Sequence, residues 1–176
     1  MFFSETKLKG AFTIEPQRRE DTRGYFARTF CKREFEQHDL NCNVVQCNTS
    51  FSWRKGTLRG MHYQIAPFSE VKLVRCTAGA IFDAIVDLRE ESPTYRQWVG
   101  VELSAQNGRL LYVPQGFAHG YLTLAENVEV FYQVSEYYNP KYERGIHWND
   151  PAICIEWPFS PTVISAKDSS YPNFDE

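Results

Sequence analysis

The chain has 176 residues, 43% hydrophobic and 15% aromatic, which is enough for one domain with a substantial core. A formal net charge of -3 leaves no basic excess, so the composition predicts no nucleic-acid partner and no membrane surface. The five cysteines are odd in number and include no CxxC pair, which argues against a zinc ribbon or a disulfide framework and predicts a reducing, cytoplasmic compartment.

Strand signals dominate the chain, which has no internal repeat or linker, and they predict a single all-β domain over 1–176. In chain order we expect a strand at 11–15, a charged loop at 16–22, a strand at 24–30, a two-turn helix at 32–38, and strands at 44–50, 57–65, 71–77, 80–88, 97–103, 109–113, 118–124 and 128–135. Many short strands at this spacing are typical of a β-sandwich, jelly roll or barrel. The pair Asn107-Gly108 predicts a tight hairpin between its flanking strands. The tail after Tyr138, rich in Pro, Trp and polar residues, is expected to wrap the barrel as loops and short helical turns.

Two consecutive strands carry the residues around which we expect a pocket, His62 in 57–65 and Lys72 in 71–77. A lysine in an apolar strand is costly to bury unless its charge is used, and a histidine titrates near neutral pH. Regular alternation would place Arg59 and His62 on opposite faces, unless Gly60 forms a bulge that re-aims one of them. Tyr132 shares its strand face with valines, so its ring is expected to point into the interior.

A metal site is one chemistry that the histidines suggest. The spacing G-x5-P-x-G-x2-H, the second metal motif of many cupin barrels, is matched by Gly108, Pro114, Gly116 and His119. The first motif is degraded, because His62-Tyr63-Gln64 replaces His-x-His and Lys72 lies near the place of the acidic ligand. Two imidazoles with an added ammonium group are a poor ligand set for a divalent metal, so we predict no metal site.

General acid–base catalysis fits these side chains better, and its ingredients are His62, Lys72, Tyr132, His119, Asp83 and Asp168. A histidine oriented by a carboxylate can abstract a weakly acidic proton, a lysine can stabilise the oxyanion, and a buried tyrosine can return a proton from the other side. Each residue also has a purely structural interpretation, as a core histidine, a rim lysine, a core tyrosine or a turn aspartate. No G-x-S-x-G elbow, P-loop or G-x-G-x-x-G motif supports nucleophilic hydrolysis or Rossmann-type cofactor binding.

Ordered motifs along nearly the whole chain resemble the dTDP-4-dehydrorhamnose 3,5-epimerase family, which acts on nucleotide-linked 4-keto-6-deoxyhexoses. Besides the Tyr132 strand they are DTRGYF (21–26), QCNTS (46–50), LRGMHYQ (58–64), VKLVRCTAG (71–79), DAIVDLREESPTY (83–95), VPQGFAHGY (113–121), IHWNDP (146–151) and SAKD (165–168). The resemblance implies a cupin-like jelly-roll β-barrel, a homodimer, and a reaction in deoxy-sugar biosynthesis that uses no metal and no organic cofactor.

The resemblance also implies a role for each matching residue. His62 corresponds to the general base, paired with Asp168, and Tyr132 to the general acid on the opposite face of the sugar. Lys72 corresponds to the group that stabilises the enolate. Substrate-binding positions are matched by Arg59 and His119, and the surroundings of the nucleotide diphosphate by Arg23, Gln46, Asn48, Glu143 and Lys167. Arginine and lysine would give charge-assisted contacts to the diphosphate.

One position departs from the family pattern, because many thymidine-nucleotide members have Glu where this chain has Arg28, in the piece D-x-R-G-x-F-x-E. That acid accepts from the N3–H of thymine. Cytosine N3 is itself an acceptor, so an arginine donor at this position fits cytosine better and makes a CDP-linked substrate an alternative to a dTDP-linked one. The other interpretation is that Arg28 points away and another group reads the base. Inversion of C3 alone, or of C3 and C5, is likewise open.

Two further functions stand beside epimerisation. A 3,4-ketoisomerase shares the fold and the substrate class, but Tyr132 and the pair His62–Asp168 favour epimerisation. A non-catalytic sugar-binding cupin is the alternative from another class, and it has no need of a base, an acid and an oxyanion stabiliser together.

Overall fold

The computed structural model describes residues 1–174, which form two large β-sheets, a separate hairpin and two short helices. The elements are β1 (Phe2–Glu5), β2 (Phe12–Glu15), β3 (Arg18–Asp21), β4 (Gly24–Ala27), α1 (Lys32–Glu36), β5 (Gln46–Ser52), β6 (Thr57–Gln64), β7 (Lys72–Ala78), β8 (Ala80–Asp87), β9 (Trp98–Ser104), β10 (Leu110–Val113), β11 (Phe117–Thr123), β12 (Val128–Val134), β13 (Glu143–Gly145), β14 (Val163–Ile164) and α2 (Ala166–Ser169). The prediction of an all-β chain is confirmed. No helix in this part of the chain is long and apolar enough to cross a membrane.

The two sheets are built by a chain that passes repeatedly from one to the other. The first sheet has the strand order β1-β2-β10-β7-β12-β5, and the second has the order β13-β6-β11-β8-β9, with β14 also pairing with β6. From β5 to β12, only the β8–β9 connection stays within one sheet. This alternation, with antiparallel neighbours, is the connectivity of a jelly roll, so the predicted cupin-like fold is confirmed.

Hydrophobic side chains from both sheets fill the space between them. Val74 and Val130 of the first sheet and Ile81 and Ile85 of the second are at most 1% exposed and belong to one core cluster. Burial of each such side chain contributes roughly 1.5–3 kcal/mol. Tyr132 packs against this cluster, as the valine face of its strand predicted. The core therefore fixes the sheets against each other and leaves Tyr132 at its edge.

The outer face of each sheet is also covered. Phe35 of α1 packs on Leu73 and Tyr112 outside the first sheet. Ile146 and Ile153, in the segment after β12, cover the second sheet. The expectation that the C-terminal tail wraps the barrel is confirmed, although this tail also forms the two strands β13 and β14, which were not predicted.

The N-terminal region contains more strand than the sequence predicted. The charged loop expected at 16–22 was wrong, because β3 pairs with β4 in a hairpin that belongs to neither large sheet. All four residues of β3 are exposed, so its sequence has no apolar face to reveal the strand. Phe26 on β4 is 68% exposed. The hairpin therefore projects aromatic and charged side chains away from the core.

The hairpin predicted at Asn107-Gly108 was also wrong. The turn joins β9 in the second sheet to β10 in the first, so its flanking strands do not pair. Oδ1 of Asn107 accepts hydrogen bonds from the N–H groups of Ser104 and Arg109, and Gly108 has a φ of 64°. These hydrogen bonds and this backbone conformation are local to the turn, so they do not determine which sheet the next strand joins.

The bulge considered at Gly60 is present. His62 pairs with His119 and Arg59 with Tyr121, so β6 has one more residue than β11 between these two pairs. Gly60 has a φ of 133°, and a Cβ atom there would lie 2.5 Å from Cα of Gly120. Only glycine fits at this close approach of two strands. As a result Arg59 and His62 face the same cavity.

Candidate active site

A cavity of about 430 Å³, here called the first cavity, lies between the two sheets. The predicted site residues that line it are Arg59, His62, Lys72, His119, Tyr132, Lys167 and Asp168. They come from β6, β7, β11, β12 and the C-terminal tail, so residues far apart in the chain meet in one pocket. The structure thus brings His62 and Lys72 together, as the strand pattern predicted.

His62 and Asp168 form an imidazole–carboxylate pair. Nε2 of His62 lies 2.8 Å from Oδ1 of Asp168. Because an ionised carboxylate only accepts, Nε2 carries the hydrogen and Nδ1 is left as the basic nitrogen. Burial alone would raise the pKa of Asp168, but the hydrogen bond and charge of His62 and the N–H of Gly60 hold it below its ordinary value. Asp168 therefore stays ionised and stabilises a protonated His62.

The C-terminal tail holds Asp168 in this place. Strand β14 runs parallel to the start of β6 and brings the tail across the mouth of the first cavity, where Val163 and Ile164 line it. Ser165 then caps α2, its Oγ accepting from the N–H of Asp168 at 3.0 Å. Oδ2 of Asp168 accepts from the N–H of Gly60 at 3.2 Å. The bulge that aims His62 also fixes its carboxylate partner.

Lys72 and Tyr132 lie on the wall opposite His62. They come from the paired strands β7 and β12 of the first sheet, whereas His62 belongs to the second sheet. Nζ of Lys72 lies 3.1 Å from Oε1 of Glu70. Burial raises the pKa of Tyr132, and the negative charge of Glu70 adds to this effect. The phenol is therefore protonated at neutral pH, as an acid facing a base across one cavity has to be.

A second imidazole–carboxylate pair supports the floor of the cavity. Nε2 of His119 lies 2.6 Å from Oδ1 of Asp83, which is fully buried on the neighbouring strand β8. Asp83 does not line the cavity itself and acts on it through His119. Arg59 is held beside them, donating to Oγ of Ser52 at 3.2 Å and to the carbonyl of Phe51 at 3.0 Å. Both predicted substrate contacts are thus pre-positioned.

A second cavity of about 350 Å³ adjoins the first and shares His62, Lys72 and Tyr132 with it. The predicted residues Gln46, Asn48 and Glu143 line this second cavity. Glu143 on β13 accepts from the hydroxyl of Tyr138 at 2.9 Å and pairs with Nζ of Lys167 at 2.5 Å. Burial alone would raise the pKa of Glu143, but Lys167 and Tyr138 hold it below its ordinary value.

Of the substrate-binding residues that the sequence predicted, Arg23 and Arg28 line neither cavity. Arg23 lies in the turn of the β3–β4 hairpin, 87% exposed, and pairs with Asp21 at 2.6 Å. Nη1 of Arg28 donates to Oε1 of Glu34 at 2.7 Å, and the other oxygen of Glu34 accepts from the N-terminal amine of Met1. A single chain therefore does not bring these two arginines to its own site.

Among the lining residues that sequence reasoning missed are Ser50, Glu70, Tyr121 and Tyr138. Tyr121 was detectable, because it follows His119 by two residues on β11 and so shares its face. Its hydroxyl forms a hydrogen bond with Ser50 of the opposite sheet. Glu70 and Tyr138 lie in loops, where side-chain alternation gives no signal.

The sequence model of the dTDP-4-dehydrorhamnose 3,5-epimerase family matches residues 5–176. The chain belongs to that family. This epimerase is 45% identical over 177 residues to the dTDP-4-dehydrorhamnose 3,5-epimerase of Sinorhizobium fredii, in an alignment that covers 100% of this chain and 91% of the relative. The resemblance inferred from the motifs is confirmed, and the protein is an enzyme of the isomerase class.

Solved structures of epimerases are similar to this one along almost their whole length. The dTDP-4-dehydrorhamnose 3,5-epimerase of Elizabethkingia anophelis NUHP1 has a TM-score of 0.96 at 40% identity, covering 99% of this chain and 97% of that one. The dTDP-6-deoxy-D-glucose-3,5-epimerase of Legionella pneumophila Philadelphia 1, solved in complex with dTDP-4-keto-L-rhamnose, has a TM-score of 0.93 at 39% identity, covering 99% and 93%.

Proposed function

We propose that this epimerase inverts C3 and C5 of a dTDP-linked 4-keto-6-deoxyhexose, in cytoplasmic deoxy-sugar biosynthesis. The observation that carries the proposal is the placement of His62, backed by Asp168, and Tyr132 on opposite walls of one cavity. A base and an acid on opposite sides of a carbon invert it, whereas one group acting alone exchanges hydrogen with retention. The relatives reported above are named 3,5-epimerases, and one was solved with a dTDP-linked keto sugar.

The reaction follows from the acidity that the C4 ketone gives to the hydrogens on C3 and C5. Nδ1 of His62 removes one of these protons, and the C–H electron pair moves into an enolate whose oxygen the ammonium group of Lys72 stabilises. Tyr132 then gives its phenolic proton to the same carbon from the opposite face. The C=C electron pair of the enolate forms the new C–H bond as the oxygen lone pair re-forms the ketone. His62 then gives its extra proton to solvent, and the phenolate of Tyr132 takes a proton from solvent. The same cycle at the second carbon completes the product.

The second cavity is the proposed place of the nucleoside diphosphate, because it adjoins the first cavity and shares His62, Lys72 and Tyr132 with it. Gln46 and Asn48 present amide groups there, and Gln46 donates to Asn48 at 2.9 Å. The ring of Tyr138 is 55% exposed at this cavity and offers a face on which a base can stack. Lys167 lies at the edge of the first cavity, where it can reach a phosphate.

Proton NMR in deuterated water with dTDP-4-keto-6-deoxyglucose tests this function. We expect the H3 and H5 signals to disappear, deuterium to appear at both carbons with inverted configuration, and the carbonyl to stay at C4. Exchange at C3 alone would restrict the enzyme to one carbon, and a carbonyl that moves to C3 would identify a ketoisomerase. If no hydrogen exchanges at all, the alternative of a non-catalytic sugar-binding protein would be supported instead.

The same spectra with the CDP-linked sugar test the base. Because Arg28 is already paired with Glu34, we expect it not to select cytosine, and turnover of the dTDP-linked sugar to be faster by about fivefold or more, the effect of one mismatched hydrogen bond. Faster turnover of the CDP-linked sugar, reversed in Arg28→Glu, would instead establish the cytosine interpretation that the position of Arg28 suggested.

We also propose that the enzyme is a homodimer in which the β3–β4 hairpin of one copy completes the second cavity of the other. That cavity is lined by Glu70, Glu136 and Glu143, with Lys72 as the cation among its lining residues, so a diphosphate needs further positive charge. Arg23 carries such a charge on the hairpin beside the exposed ring of Phe26. A symmetric dimer would use both hairpins in the same way.

Subunit mixing tests the shared site. His62→Ala and Arg23→Ala enzymes, each of low activity alone, are unfolded and refolded together. If Arg23 acts on the partner's cavity, mixed dimers contain one intact site, and roughly a quarter of wild-type activity returns, since half of the dimers are mixed and each has one of two sites. The shared site would be contradicted if the refolded mixture had only the average activity of the two variants. It would also be contradicted if sedimentation velocity showed the wild-type enzyme to be a monomer.

A further inference from the structure

We propose that Glu70 is a positioning residue for the catalytic Lys72, an inference that rests on the proposed function. Nζ of Lys72 lies 3.1 Å from Oε1 of Glu70, and the two side chains are only 12% and 7% exposed. The pair therefore sits at the boundary of the two cavities with little access for water. An ion pair in such a place keeps its geometry far better than a surface pair does.

Glu70 is itself held by a network that begins on the strand of the catalytic base. Gln64, two residues after His62 on β6, donates from its amide nitrogen to Oε2 of Glu70. The same amide donates to the carbonyl of Phe68 at 2.9 Å, and its oxygen accepts from the N–H of Asn139 at 2.6 Å. Gln64 is 5% exposed. A chain of contacts from Gln64 through Glu70 thus fixes the ammonium group relative to His62.

The backbone between the two charges is fixed as well. Val71 separates Glu70 from Lys72, donates its N–H to Oγ of Ser135 at 2.8 Å, and accepts from the N–H of Ser135 at 3.1 Å. Val71 is therefore anchored to Ser135, which directly follows β12, the strand of Tyr132, and Lys72 pairs with Val134 of that strand. The carboxylate of Glu70 can move little without breaking these contacts.

This arrangement gives Glu70 a defined effect on the reaction. Lysine has a flexible four-carbon stem and three N–H donors, and Glu70 takes one donor and leaves the others for the enolate oxygen. Without its carboxylate partner, the ammonium group would be buried and unpaired, which favours its withdrawal to water. Glu70 also adds to the burial that raises the pKa of Tyr132, so it keeps the acid protonated. Glu70 acts through these two residues and not on the substrate.

A double-mutant cycle on solvent-deuterium exchange tests the inference. Glu70→Gln keeps the shape and one acceptor oxygen but removes the charge, and we expect exchange at saturating substrate to slow about tenfold with KM little changed. Lys72→Met should slow exchange by about 10²–10³-fold, the loss typical of an oxyanion donor. If Glu70 acts through Lys72, the double variant is no slower than Lys72→Met alone. Effects that multiply in the double variant, or wild-type exchange in Glu70→Gln, would overturn the inference.

A matched control and a second measurement separate this inference from the proposed function. Glu36→Gln removes the carboxylate of another lysine–glutamate pair, Lys32–Glu36 on α1, which lies outside both cavities, so exchange should stay near the wild-type rate. Thermal unfolding gives a readout that needs no catalysis. Glu70→Gln should lower Tm by several degrees in the wild type and raise or leave Tm unchanged in Lys72→Met. If the wild type shows no exchange but the Tm effect of Glu70→Gln still depends on Lys72, the proposed function is refuted and the ion pair stands. If the Tm changes of the two substitutions simply add, the interaction between Glu70 and Lys72 is refuted.

Discussion

Replacing His62 by alanine is expected to stop hydrogen exchange at both C3 and C5 while dTDP still binds. The imidazole of His62 lines the first cavity with one nitrogen free and has an ionised carboxylate, that of Asp168, on the other. A positioned general base contributes about 10²–10⁴-fold, so exchange in the variant should fall by at least that factor. One base serving both carbons predicts equal loss at each, which separate integration of the H3 and H5 signals measures.

The chain offers a matched control for this experiment. His38 is an exposed histidine that stacks on Phe3, outside both cavities, so His38→Ala should exchange at the wild-type rate. Calorimetry with dTDP then shows whether His62→Ala keeps the nucleotide site, which we propose to lie mainly in the second cavity. Persistent exchange in a folded His62→Ala protein would assign the base to another residue, with His119 as the remaining imidazole of the cavity.

Periodic sequence patterns predicted the barrel well, because each strand of a jelly roll has one face in the core. Val128 and Val130 are at most 1% exposed, and Tyr132 follows them on the same face towards the cavity. The same reasoning failed at β3, which is exposed on every residue, and at Asn107-Gly108, where a local turn signal could not show that the next strand changes sheet. Alternation of apolar and polar residues thus indicates a buried strand face, and it gives no signal for a strand that has no buried face.

The chemistry of the site depended on contacts that no local pattern encodes. His62 and Asp168 are 106 residues apart, and they meet because β14 carries the tail along β6. Arg59 and His62 share a cavity only because of the extra residue at Gly60. The family motifs indicated these residues in advance, whereas Glu70 emerged only from the structure, since its importance lies in a contact with Lys72 and not in a motif.

Tyr132→Phe is expected to separate hydrogen exchange from inversion. The variant keeps the aromatic ring and its packing but loses the proton that the proposed mechanism delivers from the face opposite His62. His62 can still remove a proton and return a deuteron to the same face, so exchange continues with retention of configuration. We expect exchange to slow less than about tenfold and inversion to slow by about 10²–10⁴-fold, the contribution of a general acid.

The measurement follows both quantities in one reaction, since proton NMR in deuterated water gives the loss of H3 and H5 and the coupling constants of the inverted product. Tyr112→Phe is the control, because its hydroxyl donates to the carbonyl of Asn41 in a cluster outside the cavities. Burial and Glu70 both raise the pKa of Tyr132, so the acid is present across the neutral range and the split between exchange and inversion should not change there with pH. Equal loss of exchange and inversion would make Tyr132 a structural residue and would leave the opposite wall of the cavity without its acid.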